Sequence, residues 1–152
     1  MDKIQLQLFI NTLTQDAVIK EGKQYLEVTV EPYALHQLAK SLKEREETKF
    51  DFLFCLTGVD YGTELGVIYH LRSTSYDHSV VLKTRTSDRE NPVLDSVCNI
   101  WQTAEFHERE AYDLFGVKFL HHPDLRRLFM TDDWKGWPLR KDYEDPINMI
   151  KL

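Results

Sequence analysis

Four carboxylates and one histidine occur close together in the last third of the chain, and side chains of these types can do acid and base chemistry. The residues are Glu105, His107, Glu108, Glu110 and Asp113. Arg109 follows Glu105 by four positions and precedes Asp113 by four, which is the spacing at which charged side chains pair along a helix. The pattern therefore favours a salt-bridged helix, with a soluble acid/base enzyme as the alternative.

No metal-binding motif is complete in the same region. His107-Glu108 begins like the HExxH motif of zinc proteases, but Ala111 stands where the second histidine is required. His121 and His122 could offer ligands, yet neighbouring residues of an extended strand point to opposite sides. The sequence therefore predicts no metal site.

Neither the glycines nor the cysteines indicate a cofactor site. Gly58, Gly62 and Gly66 lack the spacing of a dinucleotide fingerprint, and no serine stands in a GxSxG elbow. Cys55 and Cys98 are the only cysteines, and an iron–sulfur cluster usually takes four thiolates from one chain. We expect two small buried thiols without a disulfide, no catalytic residue and no bound cofactor in this chain.

The segment that follows is rich in arginine and aromatic residues. It is too aromatic for a disordered tail, and Trp and Arg are the side chains that most often anchor protein interfaces. We predict a partner-binding surface made of Arg126, Arg127, Trp134, Trp137, Arg140 and Tyr143. The arginines would pair with carboxylates of the partner. We assign an internal or interfacial charge network to Glu108, Arg109, Glu110 and Asp113.

The composition fits one globular domain. The chain has 152 residues, of which 42% are hydrophobic, so it can bury a core without disulfides or metals. The net charge of −6 disfavours binding to the phosphate backbone of nucleic acids. No apolar run approaches the length of a spanning helix, and the N-terminus lacks the pattern of a signal peptide. We expect a soluble protein that stays in the cytoplasm.

Hydrophobic periodicity predicts the elements that must position these residues. Helices are predicted over residues 4–14, about 33–46, 93–101 and 104–115. Thr103 should cap the last helix and Gly116 should end it. Strands are predicted over residues 18–19, 25–30, 50–59, 66–71 and 79–84. The first two strands form a hairpin, the apolar run 50–59 reads as a central strand buried on both faces, and the rest continue as an antiparallel meander.

These elements predict an α+β fold, in which a mixed or mostly antiparallel sheet packs with helices and an extended C-terminal arm follows. Residues 1–119 would form the α+β domain. Residues 120–152 would form the partner-binding arm, and the two would make one structural unit.

Several short motifs in this chain resemble one known family. They are EREAYDLFG at residues 108–116, HPDLRR at 122–127, DW at 133–134 and PLRKDY at 138–143, with FDFL, LTGVD and VIYHL in the strands of residues 50–71. Together they resemble the C-type subunit of NADH:quinone oxidoreductase, which is the 30-kilodalton subunit family of respiratory complex I. The resemblance covers roughly residues 15–145.

The resemblance implies a cofactor-free accessory subunit of the peripheral arm of a proton-pumping complex. Such a protein docks on the hydrogenase-like large subunit of the D type, beside iron–sulfur subunits, and supports the assembly of the quinone site. FMN, iron–sulfur clusters, NADH and quinone would belong to the complex and not to this chain. The complex would lie peripherally on the cytoplasmic face of the cell membrane. The equivalent subunit of a ferredoxin-dependent complex or a membrane-bound hydrogenase is the alternative.

Two positions depart from the family pattern. Members often have Gly where this chain has His121, and His where it has Trp137. His121 puts in doubt any tight turn that glycine would allow. Trp137 would bury more area against a partner.

Overall fold

The computed structural model describes residues 1–150. The helices in this range are α1 (Lys3–Leu13), α2 (Pro32–Glu44) and α3 (Ala104–Phe115). The strands are β1 (Val18–Glu21), β2 (Leu26–Thr29), β3 (Phe52–Asp60), β4 (Leu65–Arg72), β5 (Ser79–Thr86), β6 (Val93–Asp95) and β7 (Lys118–Leu120). Residues 121–150, here called the arm, contain neither helix nor strand. The last two residues of the predicted arm lie outside the described residues.

Five strands form one mixed sheet in the order β1-β2-β5-β4-β3. The β1–β2 hairpin and the β3–β4–β5 meander are antiparallel, as predicted, whereas β2 and β5 pair in parallel. A crossover between parallel strands needs a long connection, and α2 with the β3–β4 hairpin supplies it. The predicted α+β class, with helices packed on a mixed sheet, is confirmed.

The prediction that residues 50–59 form a central strand buried on both faces is wrong, because β3 lies at the edge of the sheet. Leu53 and Leu56 are buried in the core, whereas Phe52 and Thr57 are exposed. An apolar run marks a strand but does not report its place in the strand order.

Residues 93–101 do not form the predicted helix. Val93–Asp95 is β6, which pairs in parallel with Lys118–Leu120, a strand that the sequence did not predict. The chain then turns, and the N–H groups of Ile100 and Trp101 both donate to the Val97 carbonyl at 2.9 Å. A short strand followed by a turn therefore produced the apolar spacing that suggested a helix.

Local signals explain where the helices begin and end. Asp2 caps α1, since its side chain accepts from the Gln5 N–H at 2.8 Å while the Gln5 side chain accepts from the Asp2 N–H. Gly116 ends α3 in the left-handed conformation at φ +77°, as predicted. Thr103 does not cap α3 through its side chain, because its hydroxyl donates to the Leu53 carbonyl at 3.0 Å.

The core lies between the sheet and the helices. It contains Leu35 and Leu42 of α2 together with Leu71 and Leu82 of the sheet, all fully buried. None of the helices within residues 1–150 is long and apolar enough to cross a membrane. The core fixes α3 beside β3, and α3 then holds the arm.

Candidate functional site: the junction of α3 and the arm

Asp113, on the buried side of α3, binds the backbone of the arm. Its Oδ2 accepts from the N–H groups of Leu128, Phe129 and Met130 at 3.2, 2.6 and 3.0 Å. Its Oδ1 accepts from Arg127 Nη1 at 3.0 Å. Burial alone would raise the pKa of this carboxyl, but the donors of the arm outweigh burial and hold the pKa below its ordinary value.

Arg127 connects the arm to Asp113 through its side chain, which is only 9% exposed. Besides Asp113, its guanidinium donates to the carbonyls of Trp134 and Gly136 at 3.0 and 2.9 Å, which closes a loop of the arm. The Trp137 ring lies 4.5 Å from the guanidinium carbon. These donors are therefore used inside the chain, and the pairing of Arg127 with carboxylates of a partner stays a prediction.

Arg109 also differs from the helix pairing that its spacing suggested. It is buried, and it donates from Nε to the Arg126 carbonyl at 3.2 Å and from Nη2 to the Arg127 carbonyl at 3.1 Å. Its partners are thus carbonyls of the arm and not Glu105 or Asp113. The i,i+4 spacing reports only neighbours on the helix, whereas the arm returns to the same face from farther along the chain.

Arg140 fixes the distal part of the arm to the domain. Its Nε donates to the Phe115 carbonyl at 2.6 Å, at the end of α3, and its Nη1 donates to the Arg89 carbonyl at 2.9 Å. Like Arg127, Arg140 makes hydrogen bonds within this chain, and its pairing with partner carboxylates stays a prediction.

Asp60, at the end of β3, completes this anchor, and sequence reasoning missed it. It accepts from both Nη atoms of Arg89 at 2.7 and 3.0 Å and from the Lys141 N–H at 2.9 Å. The Arg89 guanidinium holds the pKa of this buried carboxyl well below its ordinary value. In the sequence, the only indication of its role is that a carboxylate follows an apolar strand. An aspartate at that place is equally typical of a turn.

The two departures from the family pattern have structural consequences. Trp137 lies over the end of α3, where a Cβ built on Gly116 would come within 2.6 Å of its ring, and its ring centroid is 5.4 Å from that of Tyr112. Trp137 therefore packs on its own domain. His121 adopts φ +66°, so the turn after β7 forms without the glycine that is common there.

Glu108 is fully buried and has partners in the turn after β6. It accepts from Ser96 Oγ at 2.6 Å, from the Val97 N–H at 2.8 Å and from Cys98 Sγ at 3.1 Å. Burial raises the pKa of its carboxyl above the ordinary value. Glu110 of the predicted charge network lies exposed. The structure buries Glu108, Arg109 and Asp113, of which Glu108 binds the turn after β6 and the other two bind the arm.

Three large apolar side chains of α3 and the arm remain exposed once the arm is fastened. Phe106 of α3 is 59% exposed, and Phe129 and Leu139 of the arm are 61% and 54% exposed. Arg126 is exposed beside Asp124, which accepts from its Nε at 2.9 Å. We call Phe106, Phe129, Leu139 and Arg126 the outer surface.

Trp134 and Tyr143 are half-buried and line a shallow cavity of about 390 Å³ together with Asp133 and Lys135. The Trp134 indole N–H is buried without a hydrogen-bond partner within residues 1–150. Of the six predicted interface residues, Arg126 is exposed and the other five lie at least partly against their own chain.

Comparison with known proteins agrees with the motifs. The model of the family described as "Respiratory-chain NADH dehydrogenase, 30 Kd subunit" matches residues 28–146. The chain is 51% identical over 119 residues to the C/D subunit of NADH-quinone oxidoreductase from Phocaeicola vulgatus, covering 78% of this chain and 22% of the relative. It is 46% identical over 113 residues to the C-type subunit of NADH-quinone oxidoreductase from Chloroherpeton thalassium, covering 73% of this chain and 47% of the relative.

The matched part thus spans about a fifth of the length of the C/D relative and about half of the C-type relative. Among solved structures, the fold resembles a chain of the membrane-bound sulfane sulfur reductase, an archaeal respiratory membrane complex. The TM-score is 0.80 at 25% identity, over 95% of this chain and 86% of the other. On the extent of the family match and the identity of these relatives, this chain belongs to the family of the 30-kilodalton subunit of respiratory-chain NADH dehydrogenase.

Proposed function

We propose that this chain is an accessory subunit in the peripheral arm of a proton-pumping NADH:quinone oxidoreductase, and that it docks on the hydrogenase-like large subunit of the D type. The observation that carries the proposal is the outer surface. The arm is fixed to α3 by Asp113, Arg127 and Arg140, so Phe106, Phe129 and Leu139 are presented on a rigid support. Large apolar side chains held outward in this way are typical of a protein–protein contact.

The names of the relatives favour a D-type partner. The relative from Phocaeicola vulgatus is named as a C/D subunit, and this chain corresponds to 22% of it, so a C-type and a D-type part share one polypeptide there. Two parts that occur as one polypeptide belong to the same assembly. Neighbouring iron–sulfur subunits would complete the surroundings of this chain.

In this proposal the chain itself binds no FMN, iron–sulfur cluster, NADH or quinone, and other subunits hold them. Cys55 and Cys98 are free and half-buried, in different parts of the fold. The buried carboxylates Asp60 and Asp113 accept hydrogen bonds from arginines and backbone, which is a structural use. The chain would lie at the cytoplasmic face of the cell membrane and reach the membrane only through its partners.

The equivalent subunit of a ferredoxin-dependent complex or of a membrane-bound hydrogenase is the second candidate. The likeness to a chain of an archaeal sulfane sulfur reductase, at a TM-score of 0.80, supports it, because that respiratory membrane complex is not named as an NADH dehydrogenase. The docking role would be the same, and the electron donor or acceptor of the assembly would differ.

Charge substitution on the outer surface tests the docking. Phe129→Asp in the tagged chain should lower the recovery of the large subunit from detergent-solubilised membranes, together with NADH:quinone reductase activity, because a carboxylate cannot be buried in an apolar contact. Ile4→Asp is the matched control, since Ile4 is 71% exposed on α1, away from the arm. Equal recovery of the large subunit with both variants would refute docking through this surface. Flavin-containing and NADH-binding chains in the wild-type sample would select the first candidate over the second.

A further inference from the structure

Three side chains of metal-ligand type meet behind α3. Cys98 comes from the turn after β6, Glu108 from α3 and His122 from the start of the arm, and their ligand atoms all lie within 4.8 Å of one another. Cys98 Sγ is 3.1 Å and His122 Nε2 is 3.8 Å from Glu108 Oε2. Ligands about 2.0–2.3 Å from a tetrahedral ion lie about 3.3–3.8 Å apart, so only small shifts would be needed to surround one ion.

The charges of this cluster suit a divalent ion. The side chains of Glu108 and His122 are fully buried, and no Lys or Arg within residues 1–150 forms an ion pair with Glu108. A carboxylate and a thiolate together carry two negative charges, which one divalent cation would neutralise. Burial raises the pKa of the Cys98 thiol to about 12, and a coordinated thiol loses its proton to the metal.

The groups around the cluster already orient the ligands. Ser96 Oγ donates to Glu108 Oε2 and accepts from the Cys98 N–H at 3.1 Å, so one hydroxyl positions two of the ligands. The Tyr69 hydroxyl is buried without a hydrogen-bond partner within residues 1–150. After burial itself, the charges of Glu108, Asp95 and Cys98 contribute to raising its pKa, so it lies in the same electrostatic environment. A water completing the coordination of an ion would offer such a hydroxyl a partner.

His122 must change its hydrogen bonds to become a ligand. Its Nε2 lies 2.9 Å from the Glu105 carbonyl, and its Nδ1 accepts from the Asp124 N–H at 3.0 Å. For Nε2 to bind the ion, the ring proton must move from Nε2 to Nδ1, so His122 gives up both the Glu105 contact and the hydrogen bond from the Asp124 N–H. The imidazole thus releases no proton, and the thiol releases one to solvent. Affinity should therefore fall as the pH falls.

Ser96, which orients two of the ligands, also lines a cavity of about 340 Å³ together with His36, Asp95, Asn99 and His121. Sulfur and imidazole ligands select zinc-type ions over Mg²⁺ and Ca²⁺, which prefer oxygen ligands.

We propose that Cys98, Glu108 and His122 form a binding site for a single divalent ion of the zinc class, which would join the arm to the turn after β6 and to α3. Only the arrangement in the folded protein suggests it, because the three residues come from separate segments and match no sequence motif.

Cobalt titration of the purified full-length chain tests the site. Co²⁺ should bind as one equivalent, give tetrahedral visible bands and a thiolate charge-transfer band, and be displaced by Zn²⁺. Cys98→Ser should abolish the charge-transfer band, whereas Cys55→Ser should leave it unchanged, because Cys55 lies in β3 outside the cluster. Zn²⁺ should also raise the Tm of the wild type and of Cys55→Ser, and this rise should be lost in Cys98→Ser and His122→Gln.

The proposal is overturned if stoichiometric Co²⁺ produces no tetrahedral bands, or if the charge-transfer band persists in Cys98→Ser. Circular dichroism of each variant without metal verifies the fold. A variant that is unfolded is replaced by Cys98→Ala, for which the same loss of the band is expected.

Discussion

At the scale of the residue, the three buried charges of α3 are held by different means. Asp113 is ionised and surrounded by donors of the arm, whereas Glu108 is a carboxyl whose pKa burial has raised. Arg109 is satisfied by two backbone carbonyls. A buried charge left without partners would cost several kcal/mol, roughly 3–5, so each of these side chains depends on the segment that packs against it.

Glu108 should make folding stability depend on pH. Its folded pKa lies above the ordinary value of 4.5, so the folded state resists its ionisation, and the free energy of unfolding contributed by this group should fall as the pH rises from about 4.5 through the folded pKa. The difference in unfolding free energy between wild type and Glu108→Gln should therefore decrease over that range. Urea unfolding at a series of pH values measures it in metal-free buffer. A difference that stays constant with pH would contradict the raised pKa.

Sequence reasoning at this scale assigned an internal or interfacial charge network to Glu108, Arg109, Glu110 and Asp113. The structure places Glu108, Arg109 and Asp113 inside the protein and Glu110 on its surface. Helical spacing could not reveal their partners, because these lie in the arm and in the turn after β6. The cluster of Cys98, Glu108 and His122 was not predicted for the same reason, since it combines three segments that only the fold brings together.

At the scale of the element, α3 is the part of the fold on which the others depend. It packs against β3, its C-terminal carbonyl at Phe115 accepts from Arg140, and its last turn meets the Trp137 ring. Its bounds followed from the sequence because Gly116 is a strong local stop signal. The β6–β7 pair could not be predicted from the sequence, because two three-residue strands far apart in the chain carry no local signal of pairing.

Gly116→Ala should be more destabilising than an ordinary glycine substitution. A left-handed residue with a Cβ costs about 1–2 kcal/mol, and the Cβ would also meet the Trp137 ring at 2.6 Å. Gly62→Ala is the matched control, because Gly62 has φ +92° but nothing within 4 Å of the built Cβ. Chemical denaturation should show the larger loss for Gly116→Ala, by about 1–3 kcal/mol more. Equal losses would mean that the Trp137 contact does not constrain this end of the helix.

At the scale of the whole molecule, the arm is hydrogen-bonded to the rest of the chain along its length. The family match extends to residue 146, so it includes most of the arm. Asp113, Arg127, Arg140 and Asp60 hold the arm at two places, the buried side of α3 and the end of β3. The family was recognisable from the sequence because its motifs lie in the segments that make these contacts. The exposure of Phe129, two positions after the largely buried side chain of Arg127, could not be recognised from the sequence, since both belong to the same short irregular stretch.

Asp113→Asn should release the proximal part of the arm. The amide leaves Arg127 without its ion pair and turns a donor toward the backbone N–H groups of the arm, so we expect a loss of roughly 3–5 kcal/mol. Trypsin should then cleave the arm faster at its Lys and Arg residues, as followed by mass spectrometry. Asp133→Asn, in an exposed part of the arm, should be cleaved by trypsin at the same rate as the wild type. Unchanged cleavage of Asp113→Asn would show that the arm is held by other contacts.

The two anchoring carboxylates also make the ordered arm depend on the rest of the fold. Asp60 ends an edge strand and Asp113 lies on the helix that packs against that strand, so both acceptors are in place only where the sheet and α3 are formed. A chain that exposes its completed outer surface therefore also has a native sheet and a native α3, and recognition of that surface reports the integrity of the whole domain.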